Sequence, residues 1–436
     1  MALEATHSEN MGNVRITKLE VKEIGPFGDL VLQFPDKPSN MEGKAEIHIL
    51  TGENGTGKTT VLELLIGALP SLVGNGLLNK LRSNRAKNGF KVTFIDNESR
   101  MWIASNDDNK LSPAGKIVQK YWKVYHSYQR LAFSTAFFAY SGYRRIAQVG
   151  IKGIQELTEH PFEETLNFQN SIKPGVLLQW IANTIAAEAI ALSQQEPVEA
   201  ERRRSAIFSL EKTIGEIIDK KVKFRLETKP YSVKIEVDEE RLDFNLLPDG
   251  LKSIISWIAD LLMRMDRVKW EHDTPVFERN FILFLDEIEV HMHPAWQRKI
   301  LPAVQSLFPN AQIFISTHSP FVVGSVDGAW IHKLVKPNGD SQLAEGYPLL
   351  SEDAKSFRYW LSEVFDIASE YGMEADKQLH HFYELRNAVL KGANGTTQLA
   401  LVQAGQGLAE QSHELRQIIE MELRQVNRRM ALDLSL

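Results

Sequence analysis

The 436 residues predict an α/β fold: a mixed sheet bearing a P-loop, a short helical insertion and a helical C-terminal extension. Three observations predict it. The run GENGTGKT at positions 52–59 follows Ile47-His48-Ile49-Leu50 and precedes Thr60-Val61-Leu62-Glu63-Leu64-Leu65, so a strand, a glycine-rich loop and a helix start come in order. A second apolar run, Phe281-Ile282-Leu283-Phe284-Leu285, ends in Asp286-Glu287. A third, Gln312-Ile313-Phe314-Ile315-Ser316, ends in Thr317-His318-Ser319-Pro320. Continuous apolar runs suit central parallel strands buried on both faces, and ligands of such sheets bind at the strands' C-terminal ends.

Residues 14–34 alternate apolar and polar around Gly25-Pro26, as a strand pair does ahead of the P-loop strand. In the loop, Gly52, Gly55 and Gly57 let backbone N–H groups curl around phosphates, Lys58 reaches the terminal phosphates, and the Thr59 hydroxyl ligates Mg²⁺; Glu53, Asn54, Thr56 and Thr60 complete the cradle. The expected ligand is ATP or GTP. A hairpin is predicted from Phe90–Ile95 and Met101–Ala104, and a buried strand ending in a glycine turn from 133–147. Residues 172–218 favour helix, and Val222–Leu226 and Val233–Val237 resume β alternation. The turn Leu246-Leu247-Pro248-Asp249-Gly250-Leu251-Lys252-Ser253 opens an apolar helix, Ile254–Met265. Locally, Asp249 reads as an ordinary helix cap; the alternative is an anion-binding helix start.

Asp286, at a strand end, would hold Mg²⁺, and Glu287 would polarise an attacking water. His318 can donate to a γ-phosphate and sense its loss, although alone it reads as a structural histidine. Composition narrows the surroundings. Net charge is −6 without a polybasic block, and the absence of cysteine excludes disulfides, thiolate zinc sites and thiol catalysis. No secretory signal is visible, and Val176–Ala191 is too short and polar for a span, so a cytoplasmic protein without membrane association is expected.

The order of P-loop, glycine signature turn, strand ending DEIEVHMHPAWQ and strand ending STHSP resembles the ABC-type ATPases of the SMC, RecF and OLD kind, over roughly residues 14–325. The resemblance implies an ABC-type P-loop NTPase head divided as 14–148, a helical and β insertion at 149–245, a second half at 246–350 and an extension at 351–436. It implies that Pro248, Asp249, Gly250 and Lys252 of one protomer close over ATP and Mg²⁺ on the other's P-loop, in a head-to-tail homodimer or a higher oligomer. Val290–Pro294 falls on the family's D-loop, which makes His291 and His293 structural; Gln129 and Gln148 are Q-loop candidates, and Arg144 a phosphate contact. Pro248 stands where the family carries Ser, so one hydroxyl donor is missing and slow turnover is expected.

The stretch from Gln148 to the signature gives arms of at most ~60 Å, short for a true SMC protein. The C-terminal part lacks the acidic, glycine-rich strands of a TOPRIM nuclease, and no HNH constellation is present. His380-His381 reads as a helix face. The whole looks like the PtuA-type ATPase subunits of Septu and Septu-like retron anti-phage systems, which implies a separate HNH nuclease partner and, in the retron case, a reverse transcriptase with its nucleic acid. Two other readings stand beside it: a RecF-like repair ATPase that contacts DNA directly, and a non-hydrolysing nucleotide sensor. Leu415, Ile419, Leu423, Val426 and Met430 form an apolar stripe on a terminal helix, covered either by the chain's own helices or by another subunit; aspartates at Ile419 and Leu423 are expected to weaken assembly more than ATP binding.

Overall fold

The structure, a computed structural model, describes residues 14–69, 89–96, 99, 101–105, 132–142, 149–151, 153–168, 171–352, 355–367, 371–393 and 395–436. Gln129, Arg144 and Gln148 lie outside the described residues. The chain forms two compact units, Met1–Trp360 and Leu361–Leu436.

In the first unit, β1 (Arg15–Ile24) and β2 (Phe27–Gln33) join β4 (Phe90–Ile95) and β5 (Met101–Ser105) in an antiparallel sheet ordered β2-β1-β4-β5. It is separate from the sheet of β3 (Glu46–Gly52), the P-loop strand. That second sheet runs β13-β12-β3-β11-β10-β6, where β6 is Thr135–Ser141, β10 Asn280–Asp286, β11 Ala311–Ser316, β12 Trp330–Val335 and β13 Gln342–Leu343. From β12 to β6 every pairing is parallel, which puts the carboxyl ends of these strands on one edge. β13 and β14 (Leu349–Leu350) pair antiparallel to β12, completing the mixed sheet. Helix α1 (Lys58–Gly67) follows the P-loop, and its Val61, Leu62, Leu64 and Leu65 share one core with Leu19 and Val92 of the antiparallel sheet and with Phe284 and Phe314 of the parallel one. The helix is thus apolar nearly all round because it is buried on both sides.

The insertion is a helical hairpin, α2 (Pro174–Ser193) and α3 (Pro197–Ile218), followed by a small sheet of β7 (Val222–Thr228), β8 (Tyr231–Val237) and β9 (Glu240–Leu242). Helix α2 extends the stretch expected from sequence to 20 residues; among the described residues it alone is long and apolar enough, by length and composition, to cross a membrane, with 33% of that window buried. Its Trp180 Nε1 donates to Asp266 at 3.0 Å, an attachment within the unit. Helix α4 (Asp249–Arg267) is buried along nearly its whole length, and Trp257 packs near Tyr140 of β6. Helices α5 (Pro294–Leu307) and α6 (Pro320–Val323) follow β10 and β11.

The second unit holds α7 (Met373–Leu390), α8 (Gly395–Ala409) and α9 (His413–Met430). Leu415, Ile419, Leu423 and Val426 of α9 are buried against Phe382, Val389, Leu401 and Leu408, so the terminal stripe is covered by the chain's own helices. Of the two readings of that stripe, packing within the chain is the one the structure shows, and a charge at Ile419 or Leu423 would fall in this core.

Candidate nucleotide site

The site forms where β3, β10 and β11 end. Strand β3 is buried through Thr51, after which Gly52, Gly55 and Gly57 take φ values of 135°, 81° and 93°. No side chain fits at Gly52: a Cβ would lie 2.1 Å from the Leu334 carbonyl oxygen of β12. The loop tip, Glu53-Asn54-Gly55, is exposed, whereas Thr56 is buried and its hydroxyl donates to the Glu53 carbonyl at 2.9 Å. Lys58 is buried and folds back over the loop, its Nζ donating to the carbonyls of Gly52 at 3.0 Å and Glu53 at 2.8 Å. Burial lowers its pKa, against the pull of Asp286, Glu287 and Glu289. Thr59 and Thr60 stand half-buried in the first turn of α1.

Thr59 Oγ1 lies 2.9 Å from Asp286 Oδ1 and 3.1 Å from Oδ2, although the two residues are 227 positions apart. A hydroxyl and a carboxylate in contact are hard oxygen donors, the kind Mg²⁺ takes alongside phosphate oxygens and water, so these residues fit that ion. Among the described residues no cluster of three or more His, Cys, Asp or Glu offers a metal site. His293, instead of ligating, caps α5: its Nδ1 accepts from the Ala295 N–H at 3.2 Å.

Glu287 follows in the left-handed region at φ 49°. Burial raises its pKa, Asp286 adds to that, and Lys58 opposes it. A carboxylate so raised is a better proton acceptor. Ser316, the last residue of β11, ties the pair together: its hydroxyl donates to Asp286 Oδ1 and accepts the Glu287 N–H at 2.8 Å. Sequence reasoning gave Ser316 no role. The signal was its position, a polar residue ending an apolar strand directly before Thr317-His318. The His318 ring is exposed, and burial of part of it and the Lys58 charge lower its pKa, which favours the neutral form at neutral pH.

The structure thus brings Lys58, Thr59, Asp286 and Glu287 to one edge. The signature residues make no hydrogen bond to the P-loop among the described residues. The cap of α4 is Pro248, without any side-chain cap bond, and Asp249 is the first helical residue, so the reading of Asp249 as the cap is corrected. Asp249 is exposed, with Lys252 Nζ 3.4 Å from its Oδ1. Gly250 is buried, and a Cβ there would sit 2.5 Å from the His291 carbonyl oxygen of the same chain. A substitution at Gly250 therefore displaces the chain's own turn before it meets any partner.

Residues 200–324 match the family described as AAA domain, putative AbiEii toxin, Type IV TA system, and residues 47–134 match an NTPase family. Septu protein PtuA of Bacillus thuringiensis is 22% identical over 315 residues, 71% of this chain and 72% of that protein. The Retron Ec83 probable ATPase of Escherichia coli is 31% identical over 111 residues, and the Retron Vc95 probable ATPase of Vibrio cholerae serotype O1 biovar El Tor is 32% identical over 114. Those matches take in 25% and 26% of this chain, and span about a fifth of the retron proteins, 20% and 21%. With strand, loop and acid pair arranged as described, the chain carries the elements of a P-loop NTPase site and is similar in sequence to the Septu and retron ATPases.

Proposed function

We propose that the protein binds ATP with Mg²⁺ at the P-loop and hydrolyses it slowly, in head-to-tail dimers that restrain or scaffold a separate nuclease in anti-phage defence. The contact of Thr59 with both oxygens of Asp286 carries the nucleotide half of this reading, because it brings hydroxyl and carboxylate together where a phosphate-bound cation needs both. Bound Mg²⁺ would neutralise charge developing on the transferred phosphoryl group. Lys58, now on its own loop carbonyls, would turn to the terminal phosphates; Glu287 would orient the water; the neutral His318 ring would donate toward the γ-phosphate. The N–H groups opening α4 would meet the partner's nucleotide, and the missing hydroxyl at Pro248 accounts for slow turnover. The Septu and retron relatives support the defence role; a separate HNH-type nuclease partner and a cytoplasmic setting belong to the same proposal and rest on the family resemblance alone. Lys58→Ala should abolish MgATP binding, and Glu287→Gln should retain binding while losing turnover. Parent-rate hydrolysis in Glu287→Gln would overturn the assignment. Purified protein alone is expected not to cut DNA.

A further inference from the structure

Glu289 is a third acid beside the site, and neither P-loop chemistry nor cation binding uses it. It sits two residues after Glu287, in the turn that leads from β10 to α5. Its Oε1 accepts the backbone N–H of His318 at 2.6 Å. Its Oε2 is shut off from solvent without a partner among the described residues. Thr317 Oγ1 in turn accepts the Ser319 N–H at 3.0 Å, Ser319 Oγ donates to Gln297 Oε1 at 2.5 Å, and Gln297 Nε2 donates to the Met292 carbonyl at 2.9 Å. The loop bearing His318 is thereby stitched at two points, Glu289 and Met292, to the turn that begins with Glu287. The same turn abuts Gly250 through His291. Burial raises the Glu289 carboxyl, against the His318 N–H and the Thr317 hydroxyl.

We infer that Glu289 is a positioning residue for ATP hydrolysis: by holding the His318 N–H it fixes the His318 ring relative to Glu287, without touching nucleotide itself. This rests on the ATPase reading above. An acceptor at Oε1 suffices for the role, so a neutral amide should replace the carboxyl, whereas a shortened or deleted side chain should not. The test compares Glu289→Gln, Glu289→Asp and Glu289→Ala in the full chain, with thermal denaturation to confirm folding. Expected are kcat within about threefold of the parent for Glu289→Gln, a loss of about tenfold or more for the other two, and MgATP affinity within about threefold throughout, since displaced catalytic groups reduce turnover before binding. Should Glu289→Ala not fold, Glu289→Asp carries the comparison. Imidazole NMR resonances of His318, assigned by their loss in His318→Gln, should move in Glu289→Asp and stay near the parent's in Glu289→Gln. Equal kcat loss in Glu289→Gln and Glu289→Asp, or His318 resonances unmoved in Glu289→Asp, would overturn the inference. Glu287→Gln measured alongside tests the underlying reading separately: a parent without Glu287-dependent turnover sinks that reading, while the His318 resonances still decide the role of Glu289.

Discussion

Ser316 shows how little side chain is needed to set an acid pair. One hydroxyl donates to Asp286 and accepts from the Glu287 N–H, so it fixes both the carboxylate that contacts Thr59 and the backbone from which the second acid departs. Removing it leaves the Glu287 N–H without that acceptor and frees the Asp286 carboxylate to rotate. Ser316→Ala should therefore lower kcat for ATP by about tenfold to a hundredfold, as small displacements of catalytic groups do, with a smaller effect on MgATP affinity. Steady-state turnover beside equilibrium nucleotide binding checks this. An equal loss in both would point to a collapsed P-loop instead. The strand ends were legible in the sequence because apolar runs stop there. The Ser316–Asp286 bond was not, because it depends on the register of two strands whose bonded residues are 30 positions apart.

At the scale of elements, the other end of the parallel sheet holds a buried polar chain across β3 and β12. His48 Nε2 bonds Glu46 Oε1 at 2.7 Å, His48 Nδ1 lies 3.2 Å from His332 Nε2, and Arg15 Nε reaches Glu46 Oε2 at 2.6 Å. With His332 Nε2–H donating to His48 and His48 Nε2–H donating to Glu46, both rings are neutral and each contact has one donor. Burial lowers both histidine pKa values from the usual 6.5, that of His332 most strongly. The carboxyl of Glu46, which burial alone would raise, is held at about 2 by His48 and Arg15. The signs agree: the unfolded chain binds protons more readily than the folded one at all three groups. Stability should therefore fall as pH drops below about 6.5, and again as it drops from about 4.5 toward 2. Urea midpoints taken from pH 7.5 to 4.5 should decline, and His332→Leu should flatten the decline; an unchanged pH slope in that variant would show that the pair does not titrate as described. The α9 stripe gives a second element-scale prediction. Leu423→Ala should cost about 2–5 kcal/mol of the second unit's stability, read as an earlier denaturant transition, with MgATP binding by the first unit unchanged. Periodicity revealed that stripe, but not what covers it, because the buried residues that do so, Phe382 and Val389 of α7 and Leu401 and Leu408 of α8, are few and divided between two helices.

For the whole molecule, the question is whether an ATP site is complete within one chain. The P-loop and acid pair are assembled by one protomer, while α4 begins with a bare Pro248 cap and makes no hydrogen bond to that P-loop among the described residues. Gly250 cannot probe the dimer, because its Cβ position is already occupied by the chain's own His291 carbonyl. Asp249 can, since its side chain is exposed in the first turn of α4, where a larger one projects toward solvent. Asp249→Trp should fold and should block closure over the opposing nucleotide. Lys58→Ala should be inactive for a different reason, loss of its own phosphate contact. If each site takes its P-loop from one protomer and its signature from the other, a mixture of these two inactive variants regains one working site in every mixed dimer. Equal amounts combining at random make half the dimers mixed, so the mixture should recover about a quarter of the parent's turnover, rising as exchange favours mixed pairs. Sites complete within a single chain would leave Asp249→Trp active on its own and Lys58→Ala inactive, so the mixture would show only the sum of the two separate turnovers at every ratio, with no gain on mixing. Turnover of each variant alone and of the mixture, at concentrations where dimers form, separates the two architectures without relying on dilution to a monomer.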